Sequence, residues 1–168
     1  QCFFGLPLSV HLARKFQRRI RITTQQKADA LQVAPPTVYA TSSCPNVAIL
    51  MTTYNGEKYL LEQLVSIENQ DYRDWHLYVS DDGSTDSTLS ILKKFASKNP
   101  QRVSIFNTSD NLGFVKNFLS LVSHPKISAQ YYALADQDDI WCVNKLSRSV
   151  RALQASSQTV SLYCGRSK

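Results

Sequence analysis

The chain has 168 residues, of which 43% are hydrophobic and 19% charged, a composition typical of a globular domain rather than of a disordered or fibrous chain. Residues 1–46 carry six basic side chains against Asp29 alone, so only +1 of the net charge of +6 belongs to residues 47–168. This nearly neutral remainder lacks the basic footprint of a nucleic-acid-binding domain, and we expect no nucleic-acid partner.

Residues 1–46 are predicted to be a poorly ordered basic leader that ends in a Pro- and Ser-rich linker. Within it, residues 11–32 mix basic and apolar positions, and two interpretations stay open. They form either a solvated leader or a basic amphipathic helix that makes peripheral contact with an anionic membrane surface. The folded domain is predicted to span residues 47–168.

The four cysteines stand far apart, without a C-x-x-C pair, which fits a reducing compartment better than a disulfide framework. No stretch reaches the roughly 18 to 20 apolar residues of a membrane span. We therefore expect a cytoplasmic chain, at the inner face of the membrane if residues 11–32 contact lipid.

Short apolar runs alternate with helical periodicity along the predicted domain. Strands are predicted at 47–53, 75–82, 102–108, 130–136 and 159–165, and helices at 56–70, 84–99, 112–124 and 144–156. This order predicts an α/β fold, with a mainly parallel sheet covered by helices on both faces. Ligands of such sheets bind beyond the carboxyl ends of the strands.

Polar side chains follow three of the predicted strands, in "TTYNGE", "SDDGSTD" and "ADQDD". Asp81 ends the second strand, where its carboxylate can accept the N–H of a uracil or thymine base or a ribose hydroxyl. For Asp82 and Asp86 the alternative is that they cap the following helix, which we favour for Asp86.

Phosphates need a cation here, because the sequence has no glycine-rich phosphate loop. Asp136 and Asp138 are candidate ligands of Mg²⁺ or Mn²⁺, hard cations that keep open positions for diphosphate oxygens. An EF-hand is excluded because Ser147 stands where the loop needs glutamate. A rival hypothesis makes Asp136 the covalent nucleophile of a phosphatase, with Asp138 as acid and base.

The stretches "VAILMTTYNGEKYLLEQLVSIENQDYRDWHLYVSDDGSTDSTLSIL", "DNLGFVKNF" and "YYALADQDDIWCVNKL" together resemble family 2 glycosyltransferases, particularly their rhamnosyltransferase-like branch. The resemblance covers Val47 to about Gly165. It implies a GT-A fold in which Thr53, Tyr54 and Asn55 line the nucleotide pocket and Asp81 contacts the base.

The resemblance also implies roles for the residues that follow. Asp136 and Asp138 match the family's D-x-D motif, with Asp136 near the ribose or metal and Asp138 on the divalent ion that bridges the diphosphate. Asn111, Gly113 and Lys116 match a stretch that passes near the sugar diphosphate.

A metal-assisted, inverting transfer is then expected, from a dTDP- or UDP-linked sugar to a saccharide or lipid-linked saccharide, in the synthesis of cell-envelope polysaccharide. Rhamnose is suggested as the sugar by the branch alone. The general base is expected beyond Lys168, because only the nucleotide-binding half of the family is matched. The alternative is a non-catalytic remnant that binds nucleotide at most.

Overall fold

A computed structural model describes residues 47–107, 111–155 and 162–164. Of these described residues, Val47 to Leu146 belong to one compact unit, and those from Ser147 onward belong to another. The predicted leader at residues 1–46, including both interpretations of residues 11–32, lies outside the described residues.

Strands and helices alternate in the described residues, as predicted. They are β1 (Val47–Thr53), α1 (Leu60–Glu68), β2 (Trp75–Asp81), α2 (Thr88–Lys98), β3 (Val103–Asn107), α3 (Phe114–Val122), β4 (Tyr131–Ala135) and α4 (Lys145–Ala155). The four strands agree with the prediction to within one residue at each end. Helices α1 and α2 each begin four residues later than predicted.

The sheet has the order β3-β2-β1-β4, and every pair of neighbours is parallel. Strand β1 lies between β2 and β4, and its last residue, Thr53, pairs with Asp81. The predicted parallel α/β sheet is therefore confirmed.

Both faces of the sheet are covered. All seven residues of β1 are buried, and neighbouring residues of a strand point to opposite faces. On one face, Leu50 and Tyr78 pack with Leu121 of α3. The chain runs from β1 through β2 to β3 and then returns past them to β4, so right-handed crossovers place α3 on the face opposite α1 and α2.

The predicted fifth strand falls on residues 159–165, of which only 162–164 are described, and these three form no strand. No helix among the described parts of the chain combines the length and the apolar character that a membrane span requires.

Candidate functional site

Three loops meet at the carboxyl edge of the sheet because β2, β1 and β4 are parallel neighbours. They are residues 54–59 after β1, 82–87 after β2 and 136–144 after β4, and we call them the carboxyl-edge loops. They carry Tyr54, Asn55, Asp136 and Asp138 of the predicted site residues, while Thr53 and Asp81 are the last residues of β1 and β2.

Asp81 joins the ends of β1 and β2. Its side chain is fully buried, and Oδ1 accepts hydrogen bonds from Thr53 Oγ1 at 2.8 Å and from Ser84 Oγ at 2.6 Å. Its second oxygen, Oδ2, accepts from the Ser84 backbone N–H at 2.9 Å. The structure thus brings Thr53 and Asp81 together, with the carboxylate buried and bonded to the turn after β2, and its contact with a base stays a prediction.

Side chains of other segments accept hydrogen bonds from the first four backbone N–H groups of the first loop. These groups donate as follows: Tyr54 to Gln137 Oε1, Asn55 to Ser84 Oγ, Gly56 to Thr88 Oγ1, and Glu57 to Asp86 Oδ2. These distances lie between 2.8 and 3.0 Å. None of these amides is therefore left to cradle a phosphate, which agrees with the absence of a glycine-rich motif.

Asn55 and Glu57 return hydrogen bonds to the second loop. Asn55 Oδ1 accepts from the Thr85 N–H at 2.9 Å, and Glu57 Oε2 accepts from the Ser87 N–H at 3.0 Å. Asn55 has a left-handed φ of 46°, a conformation that asparagine tolerates better than most residues. Tyr54, next to these hydrogen bonds, is 47% exposed.

The two aspartates with a capping alternative differ in role. Asp86 Oδ1 accepts the N–H of Thr88, the first residue of α2, at 2.9 Å, although the N-cap position is Ser87 and makes no side-chain cap hydrogen bond. Asp82 instead accepts the N–H groups of Leu112 and Gly113, both at 2.8 Å. It therefore fastens the start of α3, 30 residues away, to the end of β2.

The two hydrogen bonds to Asp82 bring the predicted segment 111–116 to the same edge of the sheet. Gly113 precedes α3 with a left-handed φ of 79°, which favours glycine. Asn111 Oδ1 accepts the Gly113 N–H at 3.1 Å, and Lys116 is exposed on the first turn of α3. Their contacts with a sugar diphosphate stay a prediction.

The three carboxylates after β4 crowd one another. Burial raises the pKa of Asp136, and the negative charges of Asp139 and Asp138 raise it further, while Lys145 opposes the rise. Burial lowers the pKa of Lys145, whereas the negative charges of Asp139 and Asp136 oppose this decrease. The Lys145 Nζ also lies 4.1 Å from the centroid of the Trp141 ring. Lys145 thus places a positive charge near these carboxylates. Sequence reasoning missed this lysine.

Gln137, the central residue of the D-x-D, was also missed. Its Oε1 accepts the Tyr54 N–H at 2.9 Å, and its Nε2 donates to the Tyr54 carbonyl at 3.1 Å. Gln137 and Tyr54 are separated by 83 residues, so no local sequence pattern predicts their contact. The only sequence hint is the lone glycine at position 56, because a Cβ there would lie 2.3 Å from Gln137 Oε1.

Buried polar side chains of α1 and the residue shortly after it anchor the far end of the third loop. Ser66 Oγ accepts the N–H of Trp141 at 3.0 Å. Gln70 donates to the Cys142 carbonyl at 2.9 Å and accepts the N–H of Leu146 at 3.0 Å. The carboxylates therefore lie on a loop that is fastened on both sides.

The donor atoms available to a metal are carboxylate oxygens, which suit Mg²⁺ or Mn²⁺. Within the described ranges, no three or more His, Cys, Asp or Glu side chains group where they could hold an ion. Asp138 is exposed and Asp136 half-buried. The residues therefore fit an ion that takes one or two protein ligands and completes its shell with a substrate's phosphates.

Comparison with known proteins identifies relatives of this arrangement. The model of the family described as "Glycosyl transferase family 2" matches residues 48–166. An uncharacterized glycosyltransferase of Haemophilus influenzae is 41% identical over 98 residues, which cover 58% of this chain and 29% of that protein. The dTDP-rhamnosyl transferase RfbG of Shigella flexneri is 37% identical over 105 residues, 61% of this chain and 36% of that protein.

A solved structure is similar as well. The structure of S. aureus TarS 1–349 in complex with UDP matches with a TM-score of 0.56 and 26% identity. The match covers 65% of this chain and 32% of that one. The chain thus spans less than half the length of each of these relatives.

Proposed function

We infer the function of this chain from the family to which it belongs, glycosyl transferase family 2. We propose that the carboxyl-edge loops form the donor site of a glycosyltransferase that takes sugar from a nucleoside diphosphate sugar. One observation carries the proposal: side-chain-to-backbone hydrogen bonds tie the three loops to one another around Asp81 and the carboxylates of 136–139. A ligand beyond the strand ends would meet all three loops at once.

The nucleoside end is assigned to the side of β2. Asp81 and Thr53 lie at the paired ends of β2 and β1, and Tyr54 offers an exposed aromatic ring next to them. Together with Asn55 these residues are proposed to contact a uracil or thymine nucleotide. The likeness to a dTDP-rhamnosyl transferase and to a protein solved with UDP supports a dTDP- or UDP-linked donor, with rhamnose as the proposed sugar.

The diphosphate end is assigned to Asp136 and Asp138. The backbone N–H groups of residues 54–57 already donate within the protein, so the phosphate charge has to be met by cations. Mg²⁺ or Mn²⁺ on these two carboxylates would supply positive charge to the departing nucleoside diphosphate. Lys116, with Asn111 and Gly113 beside it, is proposed to face the same phosphates.

The reaction proposed is inverting displacement at the anomeric carbon, in which an acceptor hydroxyl loses its proton to a general base. That base is proposed to lie beyond Lys168, in the part of the relatives' length that this chain does not span. A saccharide or lipid-linked saccharide of the cell envelope is the proposed acceptor. The proposed location is the cytoplasm; residues 11–32 would contact the inner face of the membrane only if they form the amphipathic helix rather than a solvated leader.

Titration calorimetry on the full chain tests the donor site. UDP and dTDP are titrated with and without Mn²⁺, and the titrations are repeated on Asp138→Ala. We expect binding that needs the metal and weakens by about tenfold or more in the variant, because one charged ligand is lost. Asp74→Ala is the matched control, since it removes an exposed carboxylate just before β2, at the opposite edge of the sheet.

The other outcomes separate the alternatives. A folded chain that binds neither nucleotide would be the non-catalytic remnant, and the donor-site proposal would fail. Hydrolysis of p-nitrophenyl phosphate that is lost in Asp136→Asn, without nucleotide binding, would favour the aspartyl phosphatase. Equal losses in Asp138→Ala and Asp74→Ala would place the metal elsewhere.

A further inference from the structure

We propose that Gln137 is a positioning residue for donor binding, and that position 56 holds glycine so that the Gln137 amide can reach the Tyr54 backbone. We call the paired hydrogen bonds between the Gln137 side chain and the Tyr54 backbone the Gln137 clamp. This role rests on the proposed donor site and adds to it a residue that touches neither metal nor nucleotide. The clamp sets where Asp136 and Asp138 stand relative to the loop after β1.

The clamp uses both halves of the side-chain amide. The Tyr54 N–H donates to Oε1 at 2.9 Å, and Nε2 donates to the Tyr54 carbonyl at 3.1 Å. A carboxylate or a thioether of similar length cannot supply the donor half, and asparagine is one methylene shorter. The pair of bonds therefore favours glutamine specifically.

The position of the clamp explains how it acts at a distance. Gln137 stands between Asp136 and Asp138, so fixing its side chain limits the movement of both carboxylates. Tyr54 belongs to the loop whose next three amides donate to Ser84, Thr88 and Asp86 of the second loop and the start of α2. Through Tyr54, the clamp fixes the position of Asp136 and Asp138 relative to the second loop and Asp81. We infer that the two ends of a nucleoside diphosphate are thereby held at a fixed separation.

Gly56 carries the second, independent observation. A Cβ at this position would lie 2.3 Å from Gln137 Oε1 and 2.7 Å from its Cδ, far inside any tolerated contact. The left-handed glycines among the described residues are Gly83 and Gly113, so the backbone of Gly56 does not itself require glycine. An alanine there would leave the fold intact and push aside only the far end of the Gln137 side chain.

The clamp is expected to matter more for position than for stability. Tyr54 is exposed, and a hydrogen bond in reach of water contributes little to stability because water replaces it when it is lost. The buried core beneath does not involve these atoms. Disrupting the clamp should thus weaken nucleotide binding without lowering the temperature of unfolding appreciably.

A double-mutant cycle on the full chain tests the inference, with UDP and Mn²⁺ as the probe. Gln137→Met keeps the side-chain length and removes both hydrogen bonds, while Gly56→Ala displaces the same amide from the opposite side. We expect each variant to weaken UDP binding about tenfold, with unchanged unfolding midpoints. The combination should be no weaker than Gln137→Met alone, because methionine at position 137 leaves no clamp for the Gly56→Ala substitution to break.

The results also distinguish this inference from the donor site beneath it. If Gln137→Met binds UDP as the unaltered chain does, while Asp138→Ala does not, the clamp has no positioning role and the donor site stands. Losses that simply add in the double variant would show that Gly56 acts independently of Gln137. If Gln137→Met fails to fold, Gly56→Ala alone decides, since normal affinity in that variant would overturn the inference. An unaltered chain that binds no UDP would overturn both claims.

Discussion

Asp136, Asp138 and Asp139 raise the question of how neighbouring carboxylates coexist. Part of the answer is Lys145, whose charge opposes the rise in the pKa of Asp136. Its own pKa is lowered by burial, so the ammonium is partly withdrawn from water and lies over the Trp141 ring. One lysine does not balance three carboxylates, and the remaining negative charge is what a divalent cation would neutralise.

Lys145→Met tests this balance of charge. Methionine retains an unbranched apolar side chain over Trp141 but leaves the carboxylates without their cation. Without metal, we expect the midpoint of thermal unfolding to change by less than about 3 °C, because the cost of burying the Lys145 ammonium, which lowers its pKa, offsets much of its attraction to Asp139 and Asp136. Mn²⁺ should then raise the midpoint of the variant more than that of the unaltered chain.

The control for this prediction is Lys94→Met, which removes an exposed charge from α2. It should change neither the midpoint nor the response to Mn²⁺. Identical responses to Mn²⁺ in the unaltered chain and Lys145→Met would show that Lys145 and the metal do not share the carboxylates.

At the scale of elements, the helices are held at their starts by residues of other segments. Helix α2 begins at Thr88 rather than at Ser84, because the Ser84 N–H and hydroxyl bond to Asp81 and the Thr85 N–H bonds to Asn55. Helix α3 has no side-chain cap of its own. Instead, the two residues before it, Leu112 and Gly113, donate their N–H groups to Asp82. These ties make the carboxyl edge one connected structure.

Asp82→Ala is predicted to destabilise the fold by about 1 to 3 kcal/mol, because two backbone N–H groups before α3 lose a nearly buried charged acceptor. Urea unfolding followed by circular dichroism measures the change. Asp74→Ala, at an exposed position, should change the free energy of unfolding by less than about 0.5 kcal/mol. A loss at Asp82 as small as that would mean that the start of α3 is held by other contacts.

At the scale of the whole molecule, the strands could be predicted well because burial on both faces leaves a continuous apolar run, as in β1. The meeting of Thr53, Asp81 and the D-x-D loop depends on β4 lying beside β1, a strand order that the alternation of strands and helices does not specify. The helix starts could not be predicted, since Ser84 and Thr85 have the composition of caps but use their polar atoms on neighbouring loops. Gln137 was missed for the same reason, because its partner is distant in sequence.

Hydrogen–deuterium exchange of the full chain with UDP and Mn²⁺ measures whether the carboxyl-edge loops bind the donor nucleotide. We expect slower amide exchange in residues 54–57, 82–87 and 136–141, with little change at the amino ends of the strands. Protection confined to another surface, such as the amino ends of the strands, would contradict donor binding at these loops. Nucleotide binding that leaves exchange in all three loops unchanged would contradict it equally.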